Sequence, residues 1–216
     1  MLQNTGDNSF EHRIARAISH LKAYSPVRFK DVTLDGVTKE YRPDVEAVLR
    51  SIGNNRPGHL YTQGPERGLF MSGDVGTGKS AILRIIQAYL YANSHIAKTH
   101  RQIYYTHVEL VADMRFYMQD ARRGPEGDPA RHYAMYAPYL IIDELGGINE
   151  DRSGWNLTLL EGLINERWEQ NRTTFVATNK TGKELREWPG WSRIVDRLAD
   201  PEWNAMIATG NVSRRK

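Results

Sequence analysis

A glycine-rich segment of eight residues constrains this chain more than any other feature of its sequence. It fits the pattern G-x-x-x-x-G-K-S, and the apolar run from Gly68 to Ser72 that precedes it is typical of a short buried strand. Residues Lys79 to Ala92 follow with the apolar spacing of a helix. A chance glycine-rich turn is the alternative, but a strand before and a helix after are the context that a phosphate-binding loop requires. The segment consists of Gly73, Asp74, Val75, Gly76, Thr77, Gly78, Lys79 and Ser80.

The residue types of this loop suit the phosphates of a nucleotide. Glycines let backbone N–H groups approach phosphate oxygens without a Cβ between them, and the helix that begins at Lys79 directs the positive end of its dipole at the same place. We expect Lys79 to supply a cation near the β- and γ-phosphates and Ser80 to offer a hydroxyl to Mg²⁺. The loop therefore predicts a site for ATP and Mg²⁺.

A second feature is an apolar strand, residues 139–142, that ends in two acids, Asp143 and Glu144. Packing gives no reason for two acids there, whereas ligands of parallel sheets bind outside the carboxyl ends of the strands. We expect Asp143 to hold Mg²⁺, directly or through water, and Glu144 to act as a general base towards the attacking water. An ordinary strand end with two solvated acids is the alternative.

Polar residues after the next apolar strand and in a later helix add to this set. Asn179 offers an uncharged amide that can orient the water or contact the γ-phosphate, although turns also favour Asn. Arg193 and Arg197 lie four residues apart and share a helix face. An arginine beside a γ-phosphate stabilises the charge of phosphoryl transfer. The alternative for these arginines is a solvated helix face, paired with Asp196 or Asp200.

Predicted strands and helices alternate along the chain, which indicates a parallel sheet with helices on both faces. An amphipathic helix with its apolar face at Phe10, Ile14, Ile18 and Leu21 comes first and ends at Ser25-Pro26. The predicted strands are 68–72, 102–107, 139–142, 173–178 and 206–209, and the further predicted helices are 42–52, 79–92, 109–122 and 155–169.

The composition is that of a globular protein and excludes several kinds of chemistry. The 216 residues contain no cysteine, so disulfides, thiolate catalysis and zinc–thiolate sites are excluded. The first residues do not resemble a secretory signal, and no apolar run approaches the ~18 residues of a membrane helix, so we expect a soluble intracellular protein. The net charge of +3 permits nucleic acid as a partner and does not establish it.

Aromatic residues interleave with some of the basic residues of the chain, a pattern that suits single-stranded nucleic acid, where bases stack and phosphates pair. Burial in the core, or a solvated helix end, is the alternative for each of them. Trp188 and Trp191 flank Pro189-Gly190 and are candidates for a subunit interface or for the core. The basic and aromatic set is Lys98, Arg101, Arg115, Phe116, Tyr117, Arg122, Arg123, Arg131, Tyr133, Tyr136 and Lys183.

The order of these elements resembles that of AAA+ ATPases, and more narrowly the DnaC/DnaI/IstB-like group of helicase loaders and transposition ATPases. The resemblance runs from about Pro26 to the C-terminus. Residues 73–80 are similar to the Walker A loop of that group, with Ala81 completing the nucleotide-binding set. Asp143 and Glu144 are similar to its Walker B acids, and Thr178-Asn179 to its sensor I position.

The end of the chain narrows the resemblance. The stretch Arg-Ile-Val-Asp-Arg-Leu is similar to box VII of the group, where the resemblance implies that Arg197 is the arginine finger, with Arg193 as a second candidate. The final Ser-Arg-Arg looks like the terminal motif of the group, which implies that Arg215 or Arg214 contacts nucleotide.

The resemblance implies an α/β P-loop NTPase fold of the AAA+ type, with a parallel sheet, helices on both faces and no C-terminal helical lid. It divides the chain into a short N-terminal amphipathic helix, 1–24, and an ATPase domain, 25–216. It implies ATP hydrolysis with Mg²⁺ by a homo-oligomer on DNA, with the arginine finger acting in trans and a replicative helicase or a transposase as a candidate protein partner. The expected location is the cytoplasm of a bacterium or of a phage-infected host cell. A DNA-independent protein-remodelling ATPase and an ATP-dependent assembly switch are the alternatives.

Overall fold

The chain alternates between strands and helices in the computed structural model, which describes residues 9–37, 39–53, 68–93, 103–119, 133–147 and 154–210. None of the helices in these ranges is long and apolar enough to cross a membrane. The helices are α1 (Phe10–Tyr24), α2 (Arg42–Gly53), α3 (Lys79–Asn93), α4 (His107–Gln119), α5 (Tyr133–Tyr136), α6 (Trp155–Glu169), α7 (Gly182–Glu187) and α8 (Ser192–Leu198). The strands are β1 (Gly68–Gly73), β2 (Tyr104–Thr106), β3 (Tyr139–Leu145), β4 (Thr173–Thr178) and β5 (Asn204–Thr209).

The five strands form one parallel sheet in the order β2-β3-β4-β1-β5. Strand β4 therefore lies between β1, which leads into the phosphate loop, and β3, which carries the two acids. All carboxyl ends of a parallel sheet meet at one edge, so the loop, the acids and the residue after β4 are brought to the same edge. The predicted α/β fold with a parallel sheet is confirmed.

Both faces of the sheet are buried because successive strand residues point to opposite sides. Leu69 and Met71 of β1 pack in a core with α1, α2 and α3, whereas Phe70 packs in a second core with α4, α6 and α8. This arrangement explains the continuous apolar runs of the strands, which are typical of parallel strands covered on both faces.

Helix α1 packs against α3 and belongs to the first of these cores. Ser9 caps its start by accepting a hydrogen bond from the N–H of His12 at 3.2 Å. Ala17 and Leu21 are fully buried, and Leu21 shares its cluster with Leu69 of β1. The domain division at residue 24 stays a prediction, but α1 and the sheet share one core.

Several element ends differ from the prediction. Strand β3 continues through Asp143 and Glu144 to Leu145, whereas the sequence predicted that the strand ends before the acids. Strand β5 begins at Asn204 and helix α4 at His107, both two residues earlier than predicted. Helices α5 and α7 were missed because segments of four and six residues are too short to show a helical period.

Few helices follow Asn179. Between Asn179 and Gly210 the structure contains α7, α8 and β5, so this described stretch has no separate helical lid. The sequence predicts a helix at 109–122, and residues 120–122 of this helix lie outside the described residues.

Candidate nucleotide site

The glycine-rich loop lies where the sequence predicts it, between the end of β1 and the start of α3. Gly78 has a φ of +98°, a conformation that residues with a Cβ rarely adopt. The end of β5 supports the loop at close range, since a Cβ on Gly73 would lie 2.0 Å from the carbonyl oxygen of Thr209. The hydroxyls of Thr77 and Thr209 form a buried hydrogen bond of 2.7 Å. The last strand therefore fixes the shape of the loop through Thr209.

The ammonium of Lys79 is held inside the loop. Its Nζ donates to the carbonyl oxygens of Gly73 and Asp74, both at 2.7 Å, and to Oγ1 of Thr77 at 3.3 Å. Lys79 is only 6% exposed. Burial lowers its pKa, and the nearby charges of Asp143 and Asp74 oppose this shift. The buried cation thus lies close to the carboxylate of Asp143.

The other positions of the loop and the first turn of α3 are more open. Asp74 and Val75 are exposed at the loop tip, and Ser80 and Ala81 are half-buried after Lys79. The exposed tip residues lie where a loop that binds phosphate through its N–H groups would meet its ligand.

Asp143 is buried and both of its carboxylate oxygens accept hydrogen bonds. The hydroxyl of Tyr104 on β2 donates to Oδ2, and the backbone N–H of Glu144 donates to Oδ1 at 2.9 Å. The guanidinium of Arg84 lies over the ring of Tyr104, 3.5 Å from its centroid. Burial and the adjacent carboxylate raise the pKa of the Tyr104 hydroxyl, so it stays a donor at neutral pH. Asp143 is therefore a carboxylate of fixed orientation beside the loop.

Glu144 is exposed at the edge of the sheet in an unusual backbone conformation. Its φ is +56°, in the left-handed region that non-glycine residues rarely occupy. The register between β3 and β4 shifts between Ile142 and Leu145, and Glu144 lies within this irregularity. The alternation of a regular strand therefore does not determine the direction of the Glu144 side chain.

Asn179 lies between the loop and the acids. Thr178 at the end of β4 is in register with Ser72 of β1 on one side and Leu145 of β3 on the other, and its hydroxyl donates to the carbonyl of Leu145 at 2.8 Å. Neighbouring strands are ~4.8 Å apart, so the exposed Asn179 that follows lies within one strand spacing of both. Lys79, Asp143, Glu144 and Asn179 are thus brought together at one edge.

The donors around the loop fit a magnesium ion. The hydroxyl of Ser80 and the carboxylate of Asp143 are hard oxygen ligands, which Mg²⁺ prefers. Among the described residues no group of three or more His, Cys, Asp or Glu side chains could hold a metal alone. Mg²⁺ that is held by one or two protein oxygens takes its remaining ligands from water and from the phosphates of a bound nucleotide.

The two arginines of α8 have different surroundings. Nη1 of Arg193 is exposed and lies 3.3 Å from Oε1 of Glu161 on α6. Arg197 is half-buried, its Nη1 donates to the carbonyl of Arg193 at 3.3 Å, and its Cζ lies 5.3 Å from the centroid of the Trp168 ring. Arg193 therefore forms an ordinary ion pair at the surface, whereas Arg197 packs on an aromatic ring.

The acids that sequence analysis offered as partners of these arginines are engaged elsewhere. Asp196 pairs with Arg186 on α7 at 3.0 Å, and Oδ1 of Asp200 accepts from the N–H of Glu202 at 2.9 Å. No carboxylate in the part of the chain that the structure describes pairs with Arg197, and its Nε is buried without a hydrogen-bond partner there.

Arg197 lies far from its own phosphate loop. It lines a cleft with Gly68, Trp168, Trp203 and Asn204, at the amino ends of the strands. From Gly68 to the loop, β1 rises about 17 Å, at ~3.3 Å per residue. Arg197 was predicted to belong to the nucleotide site, but within one subunit it does not lie at the loop edge. Arg214 and Arg215 lie outside those ranges.

The aromatic candidates divide between surface and core. Phe116 is 65% exposed on α4 and Tyr136 is also exposed, so burial does not explain them. Trp191 is fully buried and packs edge-on against Trp188 and His107, which assigns it to the core. Tyr117 and Tyr133 are half-buried, and Lys98, Arg101, Arg122, Arg123 and Arg131 lie outside the described residues.

Sequence reasoning missed three side chains at this site. Thr209 supports the loop, Tyr104 orients Asp143, and His107 accepts a hydrogen bond from the N–H of Gly146, two residues after Glu144, at 3.2 Å. Thr209 ends β5 and His107 directly follows β2, so these two lie at the carboxyl edge beside the loop, whereas Tyr104 begins β2. The sequence therefore carries a positional signal for Thr209 and His107 and none for Tyr104.

The fold is similar to that of known replication proteins. The DnaC helicase loader superposes with a TM-score of 0.58 at 18% identity, over 85% of this chain and 99% of that one. DnaI superposes with a TM-score of 0.58 at 19% identity, over 89% and 95% of the two chains. The replication initiator DnaA, bound to AMPPCP and single-stranded DNA, superposes with a TM-score of 0.55 at 15% identity, over 82% of this chain and 49% of DnaA.

At these low sequence identities the superpositions show a shared fold and nothing more. No protein-family model and no curated protein sequence matches the chain. The parallel sheet and the glycine-rich loop form an α/β fold similar to the folds of these P-loop proteins. Its structural neighbours include helicase loaders of the DnaC and DnaI kind, which the sequence resemblance implied, and also DnaA domains.

Proposed function

We propose that this protein binds and hydrolyses ATP and works as a homo-oligomer on DNA. The observation that carries the proposal is the convergence of Lys79, Asp143, Glu144 and Asn179 at one sheet edge, beside a loop whose tip residues Asp74 and Val75 are exposed. A cation, a buried carboxylate, an exposed carboxylate and an amide at one phosphate-binding loop are the groups that phosphoryl transfer to water requires.

Each of these residues has a role that follows from its surroundings. The loop N–H groups and the ammonium of Lys79 bind the phosphates, and the α3 dipole adds to their positive field. Glu144 is exposed to solvent at the sheet edge, where its side chain is accessible to the attacking water as a general base. Asn179 orients that water or contacts the γ-phosphate.

Ser80 and Asp143 hold Mg²⁺ in this proposal. When bound, the ion supplies positive charge at the β- and γ-phosphate oxygens. Asp143 binds directly or through water, and its hydrogen bonds to Tyr104 and to the N–H of Glu144 keep its orientation.

The surroundings of Arg197 support an arginine finger that acts in trans. The side chain lies at the opposite end of the sheet from its own loop, which excludes a contact within one subunit. A half-buried arginine with no acidic partner among the described residues is suited to meet an anion brought by another molecule. We propose that this anion is the γ-phosphate of a nucleotide bound to a neighbouring copy. In this proposal Arg193 forms only its surface ion pair with Glu161 and does not contact the nucleotide.

DNA enters the proposal through α4 and through the fold. Phe116 exposes a large aromatic face on α4, and Arg122 and Arg123 come shortly after α4 in the sequence. Exposed aromatics beside basic residues bind single strands by stacking and by charge. A DnaA of the same fold has been solved with single-stranded DNA. We propose the same class of ligand here, and a replicative helicase or a transposase as the protein partner of a helicase-loader-like or transposition-type ATPase.

The test is the rate of ATP hydrolysis by the purified protein, alone and with single-stranded or duplex DNA. We expect Mg²⁺-dependent hydrolysis that DNA changes, together with a larger assembly in ATP than in ADP by light scattering. Hydrolysis unaffected by either DNA would favour a protein-remodelling ATPase. ATP-dependent assembly without hydrolysis would favour an assembly switch.

A further inference from the structure

The backbone at Glu144 is strained and is held by its neighbours. A φ of +56° costs free energy for a residue with a Cβ, and such conformations persist where the surroundings over-determine them. The N–H of Glu144 donates to Oδ1 of Asp143 at 2.9 Å, and its carbonyl accepts from the N–H of Gly147 at 2.8 Å. Both of these bonds are local, so they cannot by themselves fix the turn relative to the rest of the sheet.

Two side chains from other elements complete the support. Thr178 on β4 donates to the carbonyl of Leu145 at 2.8 Å, and His107 at the start of α4 accepts from the N–H of Gly146 at 3.2 Å. Thr178 fixes the β4 side of the turn. His107 fixes the β2 side, because it directly follows Thr106, which is in register with Asp143.

A histidine is unusual in the buried, largely apolar surroundings of residue 107. It is only 3% exposed, and its ring meets the edge of Trp191 with 5.9 Å between the ring centroids. Burial lowers its pKa to about 4, so the ring is neutral at pH 7. Because Nδ1 accepts the Gly146 N–H, the ring proton is on Nε2, which is buried and has no hydrogen-bond partner within the described residues.

An apolar side chain would fill the same space without this unsatisfied donor. The imidazole therefore costs stability, and the hydrogen bond that it provides in return is the one at Gly146. The turn is closed on its other side by α7 and the loop after it, since a Cβ on Gly146 would lie 3.2 Å from Leu185 and 3.3 Å from Trp188. Gly146 is thus held between His107 and Trp188.

We propose that His107 is a positioning residue for Glu144: by accepting the Gly146 N–H it holds the turn after the Walker B acids in the conformation that directs Glu144 at the attacking water. This inference rests on the proposed hydrolysis of ATP. In this proposal His107 contacts neither the nucleotide nor the attacking water, and it acts through the backbone of residues 144–146. Trp191, which precedes α8, fixes the orientation of the imidazole ring.

The test compares two substitutions that differ in where they place an acceptor. In His107→Asn the amide oxygen is attached at the same atom as Nδ1 and can accept the Gly146 N–H. In His107→Gln the amide lies one bond further out, in the place of Nε2. His107→Leu removes both. The measurements are kcat, the dissociation constant for ATP, the melting temperature and the amide hydrogen exchange of Gly146.

We expect His107→Gln and His107→Leu to lower kcat by about 10- to 100-fold, the size of effect that a misplaced catalytic group produces. The dissociation constant for ATP should stay within about twofold, because the loop is untouched and general-base catalysis acts on the chemical step. Exchange at Gly146 should become faster. His107→Asn should restore most of kcat and the protection of Gly146, even though it is no better than Gln at filling the core.

A purely structural histidine predicts a different pattern, in which all three variants lower the melting temperature while kcat per folded molecule and Gly146 protection stay at wild-type values. That result would overturn the proposal, as would a loss of kcat that His107→Asn and His107→Gln share equally. Should His107→Leu fail to fold, the comparison of Asn with Gln still decides. If the wild-type protein binds ATP without hydrolysing it, the proposed function fails, whereas exchange at Gly146 still shows whether His107 holds the turn.

Discussion

The hydroxyl of Tyr104 on β2 donates a hydrogen bond to the buried carboxylate of Asp143 on the neighbouring strand β3. Arg84 covers the ring of Tyr104, and the N–H of Glu144 donates to the other oxygen of Asp143. The carboxylate that we propose for Mg²⁺ is therefore oriented from two sides. Partners of this kind, one step removed from a metal, set its affinity by holding the ligand in place.

Replacing Tyr104 by Phe should weaken the response to magnesium. The ring and its contact with Arg84 remain, but Asp143 loses one of its two hydrogen bonds. We expect the Mg²⁺ concentration that half-saturates ATP hydrolysis to rise by about 10- to 100-fold, the usual range for such partners. The measurement is a Mg²⁺ titration of the hydrolysis rate at fixed ATP, with kcat at saturating Mg²⁺ largely retained.

Tyr105→Phe is the matched control for this change. Tyr105 is the next residue of β2, faces the other side of the sheet and has its hydroxyl 3.4 Å from Oδ2 of Asp113. Its Mg²⁺ titration should coincide with that of the wild type. Equal midpoints for Tyr104→Phe and Tyr105→Phe would show that the bond to Asp143 does not affect magnesium.

Lys79→Ala should abolish ATP binding. The substitution removes the cation that the loop holds through the carbonyls of Gly73 and Asp74, and with it the positive charge beside the phosphates. Binding is measured with a fluorescent ATP analogue, and thermal unfolding establishes that the variant is folded. Lys183→Ala removes an exposed lysine of α7 and is expected to bind as the wild type does. A folded Lys79→Ala protein with wild-type affinity would contradict the assignment of the loop.

Glu144→Gln should bind ATP and not hydrolyse it. The amide keeps the size of the side chain and leaves Asp143 and the loop unchanged, but it cannot accept the proton of the attacking water. Loss of a general base costs ~10²–10⁴ in rate. The hydrolysis rate and the ATP affinity are measured on the same preparation, with Glu187→Gln, an exposed glutamate of α7, as the control. Hydrolysis at the wild-type rate would mean that another group activates the water.

Much of the fold and of the loop edge follows from local patterns. The glycine-rich loop, the apolar strands and the helix from Trp155 to Glu169 are each determined by residues close in sequence, and the structure has them where they were predicted. The topology then explains why the acids and Asn179 meet the loop, because parallel strands share one carboxyl edge. No long-range information was needed for that step.

The supporting contacts could not be predicted because they join distant segments. Arg167 lies in a predicted helix with no sequence sign of burial, yet it is fully buried, with bonds to the carbonyls of Ala134 and Ala137 on one side and to Thr173 and Thr174 on the other. Burial lowers its pKa to about 9. This environment depends on the short helix α5, which has no periodic signal. The bonds of Tyr104 and Thr209 likewise depend on which strands become neighbours.

Phe116→Ala should weaken binding to single-stranded DNA. A stacked base is worth ~1–3 kcal/mol, which corresponds to a roughly five- to 150-fold loss of affinity for one lost stack. Binding is measured by fluorescence anisotropy in ATP across a salt series, and the wild type should lose affinity with a slope of about −0.7 in log K against log salt for each phosphate contact. Val108→Ala, which removes another exposed apolar residue of α4, is the control. Absent or salt-independent binding would count against DNA as the partner.

The last prediction is that Arg197 acts on the nucleotide of a neighbouring copy. Arg197→Ala should keep ATP affinity, since the side chain lies at the other end of the sheet from its own loop. An arginine finger is worth ~10³–10⁵ in turnover where it has been measured, so hydrolysis should fall to a trace. Arg193→Ala is the matched control on the same helix, because it breaks only the exposed pair with Glu161.

Mixing two inactive variants decides between action in trans and a merely structural arginine. Arg197→Ala lacks the finger and Glu144→Gln lacks the base, so each alone should be inactive. In a mixed assembly some junctions combine an intact Glu144 of one copy with an intact Arg197 of the next, and those junctions should hydrolyse ATP. We expect activity to rise on mixing, to reach its maximum near equal amounts and to fall again with an excess of either variant. If mixed oligomers form, as light scattering and cross-linking would show, and activity does not recover, Arg197 does not act across the junction and its contact with Trp168 serves packing alone.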